Sequence, residues 1–317
     1  MPYDSLLIYA YGGPESMTEV PDFIRSVTGG RVSPERLAEV QAHYAHFGGV
    51  SPMNGAIRKF MGLWRNNFRK IPVYFGACFA EPGIEKTLRQ MVSDGRRNAL
   101  VLIPAPFVGY QAAYHEKLAA VRGGMEFCPE LTFIPPFSED RLFLKAQGLA
   151  IAETLWEVFW EEFKEAFEEA LGEALNEGAS DQTVLLFSVH SLPVSLAQRS
   201  GYEAAVRTAF EAVKASCPSL DSFLAWQSAA PGPVPWLEPK TSEMIREIAA
   251  KYGPGTRVLL IPFGFPFENM EVVYDLDVEA RTLAESLGLT VHRVPTIGWR
   301  PEFRAMFFRF FQERSFS

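Results

Sequence analysis

The residues of this chain best suited to chemistry are a histidine and a distant run of carboxylates. His190 ends the apolar run Leu185-Leu186-Phe187-Ser188-Val189 and precedes Ser191-Leu192-Pro193, where the backbone must turn. Open α/β sheets bind ligands just beyond the carboxyl ends of their strands, so an imidazole there is well placed to act. Neutral imidazole can ligate a borderline transition metal, serve as a base, or cap a turn. Much further along, Glu271, Asp275 and Glu279 recur at i, i+4 and i+8. On an α-helix that spacing puts three carboxylates on one face, where like charges repel by a few tenths of a kcal/mol per pair. A solvated acidic face is one account of them. A ladder that moves cations or protons to and from the strand-end histidine is the other.

Other strand ends carry polar or aromatic groups too. The first predicted strand runs into Tyr11-Gly12-Gly13-Pro14, and the third into the stretch from Tyr110 to Tyr114. Glu268, Asn269 and Glu271 follow the third strand of the second half. Equivalent strand ends in both halves therefore point to one cleft between them. Two loops fit a cleft wall. His46-Phe47-Gly48-Gly49-Val50-Ser51-Pro52 ends at a helix start, where Ser51 could equally serve as an N-cap. Trp226-Gln227-Ser228, followed by Pro235-Trp236-Leu237-Glu238-Pro239, either flanks a flat apolar ligand or braces its own loop; the sequence leans slightly to the ligand.

Positioning these residues requires alternating strands and helices. Short apolar runs predict strands at 6–10, 73–78, 99–104 and 131–134, then at 184–189, 222–226, 258–262 and 290–294. Longer helical patterns fill the gaps, and Ser33-Pro34-Glu35 is a helix start. Four strands in each half predict an α/β fold of two similar Rossmann-like β/α domains, each with a mostly parallel sheet, facing across a cleft. The boundary is expected at 138/139, with the last helix packing back on the first domain. A helical stretch over 139–176 carries Trp156, Phe159, Trp160, Phe163 and Phe167 at helical spacing, read as a buried aromatic stripe. Phe303, Met306, Phe307, Phe310 and Phe311 predict a docked terminal helix.

Composition narrows the setting. A net charge of −8 disfavours non-specific nucleic-acid binding. Cys78, Cys128 and Cys217 are odd in number and scattered, as expected of reduced thiols in a cytoplasmic protein, and fall one short of a four-thiolate iron–sulfur site. No signal peptide or membrane span is read, and a monomer is expected.

Taken together, these motifs resemble the ferrochelatase family, which inserts ferrous iron into a porphyrin. The ordered set runs from Tyr11-Gly12-Gly13-Pro14 and Phe47-Gly48-Gly49-Val50-Ser51-Pro52 through Val189-His190-Ser191-Leu192-Pro193, Trp226-Gln227-Ser228 and Pro235-Trp236-Leu237-Glu238-Pro239 to Glu271-Val272-Val273-Tyr274-Asp275-Leu276-Asp277. Tyr11 resembles the bacterial members that metallate coproporphyrin III. The resemblance implies His190 and Glu271 as the iron-site pair, on opposite sides of the macrocycle, with Asp275 and Glu279 extending an acidic ridge. It implies Tyr11, Ser51 and Tyr114 as porphyrin contacts, and Tyr44 and Arg31 as contacts to the propionates. Fe2+ is then the substrate metal, the partner is a small-molecule porphyrin, and neither a prosthetic group nor an iron–sulfur cluster is expected.

The chain departs from the family pattern at Glu268-Asn269, where an Asp-His pair is usual, so a relay through a second histidine is not expected. Thr28 and His43 stand where relatives often carry arginine. Two other readings fit the same residues: a non-catalytic porphyrin- or haem-binding protein, and a chelatase for another metal or tetrapyrrole such as cobalt into a sirohydrochlorin.

Overall fold

The computed structural model describes residues 3–67, 71–170, 182–217 and 219–315. The chain divides into two compact units. The first comprises Met1–Phe137, Pro266–Met270 and Arg304–Ser317, and the second comprises Ser138–Phe265 and Glu271–Phe303.

In the first unit the order is β1 (Ser5–Ala10), α1 (Val20–Thr28), α2 (Pro34–Ala45), α3 (Pro52–Asn67), β2 (Val73–Ala77), α4 (Ile84–Ser93), β3 (Asn98–Leu102), α5 (Ala112–Gly123) and β4 (Glu130–Phe133). The second continues with α6 (Arg141–Ala170), β5 (Thr183–His190), α7 (Val194–Ser200), α8 (Tyr202–Lys214), β6 (Asp221–Gln227), α9 (Thr241–Tyr252), β7 (Arg257–Pro262), α10 (Met270–Val273), a π-helical segment (Asp275–Ala280), α11 (Arg281–Ser286) and β8 (Thr290–Arg293), and the last helix, α12 (Pro301–Ser315), belongs to the first unit from Arg304 on. Every predicted strand is present. The two four-stranded sheets are parallel throughout and share one order, β2-β1-β3-β4 and β6-β5-β7-β8.

Parallel strands buried on both faces read as unbroken apolar runs. All six residues of β1 are buried, as are the first seven of β5. Successive side chains serve opposite layers. Val184 and Leu186 pack with Ile245, Ile248, Leu276 and Ala284, while Phe187 meets Phe210 edge-on at 5.0 Å. Burying each such side chain contributes roughly 1.5–3 kcal/mol. The shared strand order also creates a switch point in each unit. The chain leaves β1 towards β2 on one side and reaches β3 on the other, and β5 stands in the same relation to β6 and β7. Carboxyl ends at such points are where ligands settle.

The aromatic stripe of α6 is not buried. Trp156, Phe159 and Trp160 are 68%, 48% and 51% exposed. The face that packs is Phe143, Ala146, Ala150, Ile151, Thr154 and Val158, an ordinary apolar stripe that the three aromatics lie outside. Trp156 and Trp160 stack on each other at 6.1 Å, and the Arg257 guanidinium lies 5.8 Å from the Phe159 ring. The side chains of Phe163 and Phe167, and residues 171–176, fall outside the described residues. On α12, Phe303, Met306, Phe307 and Phe311 are buried and Phe310 partly so. The Phe307 ring meets Phe60 at 6.1 Å and Phe137 at 5.3 Å. Among the described residues no helix is long and apolar enough to cross a membrane.

Candidate functional site

In the second unit, His190 is the last residue of β5 and pairs in register with Gln227, the last residue of β6. The ladder continues one step beyond it, the Ser191 N–H donating to the Gln227 carbonyl at 2.8 Å. The Tyr202 hydroxyl at the start of α8 donates to the His190 carbonyl, also at 2.8 Å. The Pro235–Pro239 stretch braces the turn that follows. Ser191 Oγ donates to the Leu237 carbonyl at 3.1 Å, and Pro193 bridges Trp236. Trp226 is 1% exposed and leans on Tyr202, so it is core and flanks no ligand, contrary to the expectation from sequence.

Glu271 arrives on the short helix α10, and its Oε1 lies 3.4 Å from His190 Nε2. The two side chains keep 29% and 17% of their surface exposed, so the pair is sheltered but reachable. Asp275 follows on a π-helical turn, closed by the Glu279 N–H donating to the Tyr274 carbonyl at 3.0 Å. The regular α-helical stripe expected for Glu271, Asp275 and Glu279 is therefore corrected: one wider turn intervenes. π-turns tend to mark functional sites. Asp277 is set apart from the ladder by its ion pair with Arg293 at 2.6 Å.

The charges act on one another. Burial works against protonation of His190, but the Glu271 carboxylate, through its charge and its hydrogen bond, more than compensates and raises the imidazole above its ordinary value; the Ser191 backbone and the Asp275 charge add to this. Burial, helped by the like charges of Glu271 and Glu279, pushes the Asp275 carboxyl up to about 7 against the contrary pull of its Ser228 hydrogen bond and His190. The Ser228 hydroxyl donates to Asp275 Oδ2 from a residue with φ +60°, an uncommon conformation for a side chain other than glycine. Asp275 thus titrates near neutrality beside an imidazole that holds its proton more firmly than usual. An imidazole and a carboxylate are donors suited to several divalent ions, and two donors leave most of an ion's coordination sphere open.

In the first unit, Tyr11 follows β1 and packs against Phe79 at 4.7 Å and Phe23 at 6.1 Å, with Tyr44 behind Phe23 at 6.1 Å. Asn54, fully buried on α3, pins the adjoining turn. Its Oδ1 accepts from the Gly13 N–H at 3.2 Å, and its Nδ2 donates to the carbonyls of Gly13 at 2.9 Å and Glu81 at 3.0 Å. Gly13 has to be glycine, because a Cβ would lie 2.4 Å from Ser51 Oγ. Ser51 itself is 4% exposed, and its hydroxyl accepts from the Met53 N–H at 3.4 Å. Arg31 is exposed in the loop between α1 and α2. Tyr114 is 4% exposed, as buried as Ser51, and lies edge-on to Tyr9 at 5.3 Å. The structure thus joins Tyr11 and Tyr44 through Phe23, and leaves Tyr114 in the sheet-facing core.

A cleft of about 920 Å3 also opens in this unit, with Phe23, Phe79 and Lys117 on its wall. Glu19, Asp22 and Arg89 line it as well, a mixed-charge groove unlike a slot for a flat apolar ring. Sequence reasoning assigned Phe23 and Phe79 no part in a site, and it offered Gln227 and Ser228 only as part of a cleft-wall loop, without their bonds to Glu271 and Asp275. Applying the strand-end rule to β2 would have found Phe79; nothing in the sequence marks Phe23.

The family model for ferrochelatase matches residues 3–315. The chain belongs to the ferrochelatase family. Members of this family are metal-inserting lyases. A coproporphyrin III ferrochelatase from Mycobacterium avium (strain 104) is 35% identical over 311 residues, covering 96% of this chain and 85% of its own length. Proteins of the same name from Mycolicibacterium paratuberculosis and Streptomyces coelicolor are 36% and 34% identical, each across 96% of this chain and 85% and 83% of their own. Among solved structures, SirB from Bacillus subtilis with Fe3+ superposes with a TM-score of 0.54 at 14% identity, covering 98% of this chain and 94% of that one. The sirohydrochlorin chelatase SirB from Bacillus subtilis subspecies spizizenii in complex with cobalt gives 0.53 at 13% identity, with 96% and 92% covered. Those two share the two-domain chelatase fold and no more.

Proposed function

We propose that this protein inserts Fe2+ into coproporphyrin III in haem biosynthesis, with His190 and Glu271 as the metal-handling pair. The observation that carries this reading is the 3.4 Å approach of an imidazole to a carboxylate at the switch point of the second sheet. Insertion must strip water from Fe2+ and remove two pyrrole protons. His190 and Glu271 offer one nitrogen and one oxygen donor to the metal, and the same lone pairs accept protons. Because the free imidazole holds its proton more firmly than usual, metal binding there displaces a proton, and affinity falls as pH drops. Asp275 and Glu279 continue the row of carboxylates beside the pair, and Asp275 can take up a proton near neutrality.

Tyr11, Ser51 and Tyr114 are assigned to the porphyrin, and Tyr44 and Arg31 to its propionates. The names of the relatives favour coproporphyrin III over protoporphyrin IX. The reading needs no resident prosthetic group. We place the protein in the cytoplasm, since Cys78, Cys128 and Cys217 are free thiols suited to a reducing compartment, and we read it as a monomer.

The test is loss of free-porphyrin absorbance with Fe2+ under anaerobic conditions, run side by side on coproporphyrin III and protoporphyrin IX. His190→Ala and Glu271→Gln should each lower kcat by about a hundredfold or more while the melting temperature survives. Wild-type turnover in either variant refutes the role of the pair. Faster turnover of protoporphyrin IX refutes the substrate.

A further inference from the structure

Gln227 is 5% exposed, and its side chain joins the ends of β5 and β6 to the helix that carries Glu271. Its Nε2 donates to the Glu271 carbonyl at 2.7 Å and points at Asp275 Oδ2 at 3.4 Å. Its Oε1 accepts from Ser188 Oγ at 2.7 Å, and Ser188 Oγ lies 2.7 Å from Thr241 Oγ1. The orientation of the amide is fixed by chemistry. A backbone carbonyl can only accept, so the nitrogen must face Glu271. Ser188 then spends its single proton on Oε1, and Thr241 must donate to Ser188. The result is a directed chain, Thr241 to Ser188 to Gln227 to Glu271, each member donating to the next.

Register completes the picture, because Gln227 is the direct strand neighbour of His190. One residue therefore touches the backbone of both members of the pair: its main chain extends the ladder past His190, and its side chain holds Glu271. Building on the function proposed above, we infer that Gln227 is a positioning residue that sets the His190–Glu271 spacing and ties Asp275 into the same frame. A donor group held by a buried amide of fixed orientation cannot drift without breaking a hydrogen bond in a sheltered site. Displacements of about an ångström at a reacting centre can cost roughly a hundredfold in rate.

The test uses Gln227→Met, which keeps the length and removes every side-chain hydrogen bond, and Ser188→Ala, which leaves the amide in place and only unclamps it. Two quantities are read on the full chain: kcat and KM for Fe2+ insertion, and the affinity for Co2+ without porphyrin, from its visible d–d absorption. Gln227→Met should lower kcat about tenfold or more, leave the porphyrin KM unchanged, weaken Co2+ binding by about tenfold, and shift the Co2+ spectrum as the ligand geometry changes. Ser188→Ala should move kcat and Co2+ affinity the same way by a smaller factor. Wild-type kcat and Co2+ affinity in Gln227→Met overturn the inference, and so does a loss confined to the porphyrin KM. If Gln227→Met does not fold, wild-type values in Ser188→Ala overturn it. A wild-type protein that inserts no iron defeats the proposed function alone, since the Co2+ measurement needs no porphyrin and still judges Gln227.

Discussion

Replacing Asp275 with asparagine should make the metal-free protein more stable at neutral and alkaline pH and leave it unchanged in acid. In the folded protein the Asp275 carboxyl keeps its proton up to about 7, whereas an ordinary aspartate loses it near 3.8. Between those values the native state binds a proton that the unfolded chain has released, so stability falls as pH rises. Three pH units at about 1.36 kcal/mol each set a ceiling of roughly 4 kcal/mol, fully present above pH 7 and absent below pH 4. Asp275 is partly exposed and Glu279 beside it is exposed, so solvent screening reduces this, and at least ~1 kcal/mol is expected. Asparagine keeps the shape, can accept from the Ser228 hydroxyl, and can donate to a neighbouring carboxylate instead of repelling it. His190 acts in the same direction but elsewhere on the scale. Its raised pKa contributes stability that is complete below 6.5 and lost as pH passes through the folded value. The variant should therefore flatten the lower part of the curve and leave a residual slope above pH 6.5. Urea denaturation of both proteins with chelator present, at steps from pH 4 to pH 8.5, gives the difference directly. A stability difference that does not change with pH, or an Asp275→Asn protein less stable than wild type at pH 8, would show that the carboxylates do not repel one another as described.

Three further outcomes are expected. Asn54→Ala breaks three buried hydrogen bonds to Gly13 and Glu81, and should lower stability by about 2–4 kcal/mol in the same denaturation measurement. The double change Trp156→Ser and Trp160→Ser should move the melting temperature by no more than about 2 °C, because both side chains are already more than half exposed; a larger drop would mean that the aromatics support the fold. Asn269→His should raise kcat for iron insertion, as an added imidazole takes up protons that an amide cannot. An unchanged kcat would assign proton uptake to Asp275 and its neighbours.

What the sequence disclosed follows from what periodicity encodes. Strands covered on both faces leave continuous apolar runs, so all eight were legible, and their repetition in two sets of four revealed the doubled architecture. His190 was legible because it interrupts such a run at its carboxyl end. Periodicity says which residues share a face but not what covers it. That is why Trp156, Phe159 and Trp160 read as core, although α6 packs through the neighbouring stripe from Phe143 to Val158. Spacing has the same limit at Glu271, Asp275 and Glu279. An i, i+4, i+8 pattern survives a π-turn almost unaltered, and it is the backbone that betrays it, as in the bond from the Glu279 N–H to the Tyr274 carbonyl.

The Gln227 chain lies beyond any such reading, and the reason bears on how the site is built. Ser188, Gln227, Thr241 and Glu271 come from four separate elements, and no spacing along the chain relates them. They meet because β5 and β6 pair in parallel with Ser188 opposite Ala225 and His190 opposite Gln227. A slip of one residue would turn His190 and Ser188 to the opposite face of the sheet together. Neither apolar run alone forbids that slip, since strands buried on both faces are apolar at every position. The polar residues near the strand ends supply what the apolar pattern lacks. In the observed register Ser188, Gln227 and Thr241 satisfy one another, whereas in a slipped one three buried polar groups lose their partners at about 1–3 kcal/mol each. The network that favours the strand pairing is thus the one from which the Gln227 side chain reaches Glu271, so on the inference drawn above the metal-handling geometry is specified together with the fold.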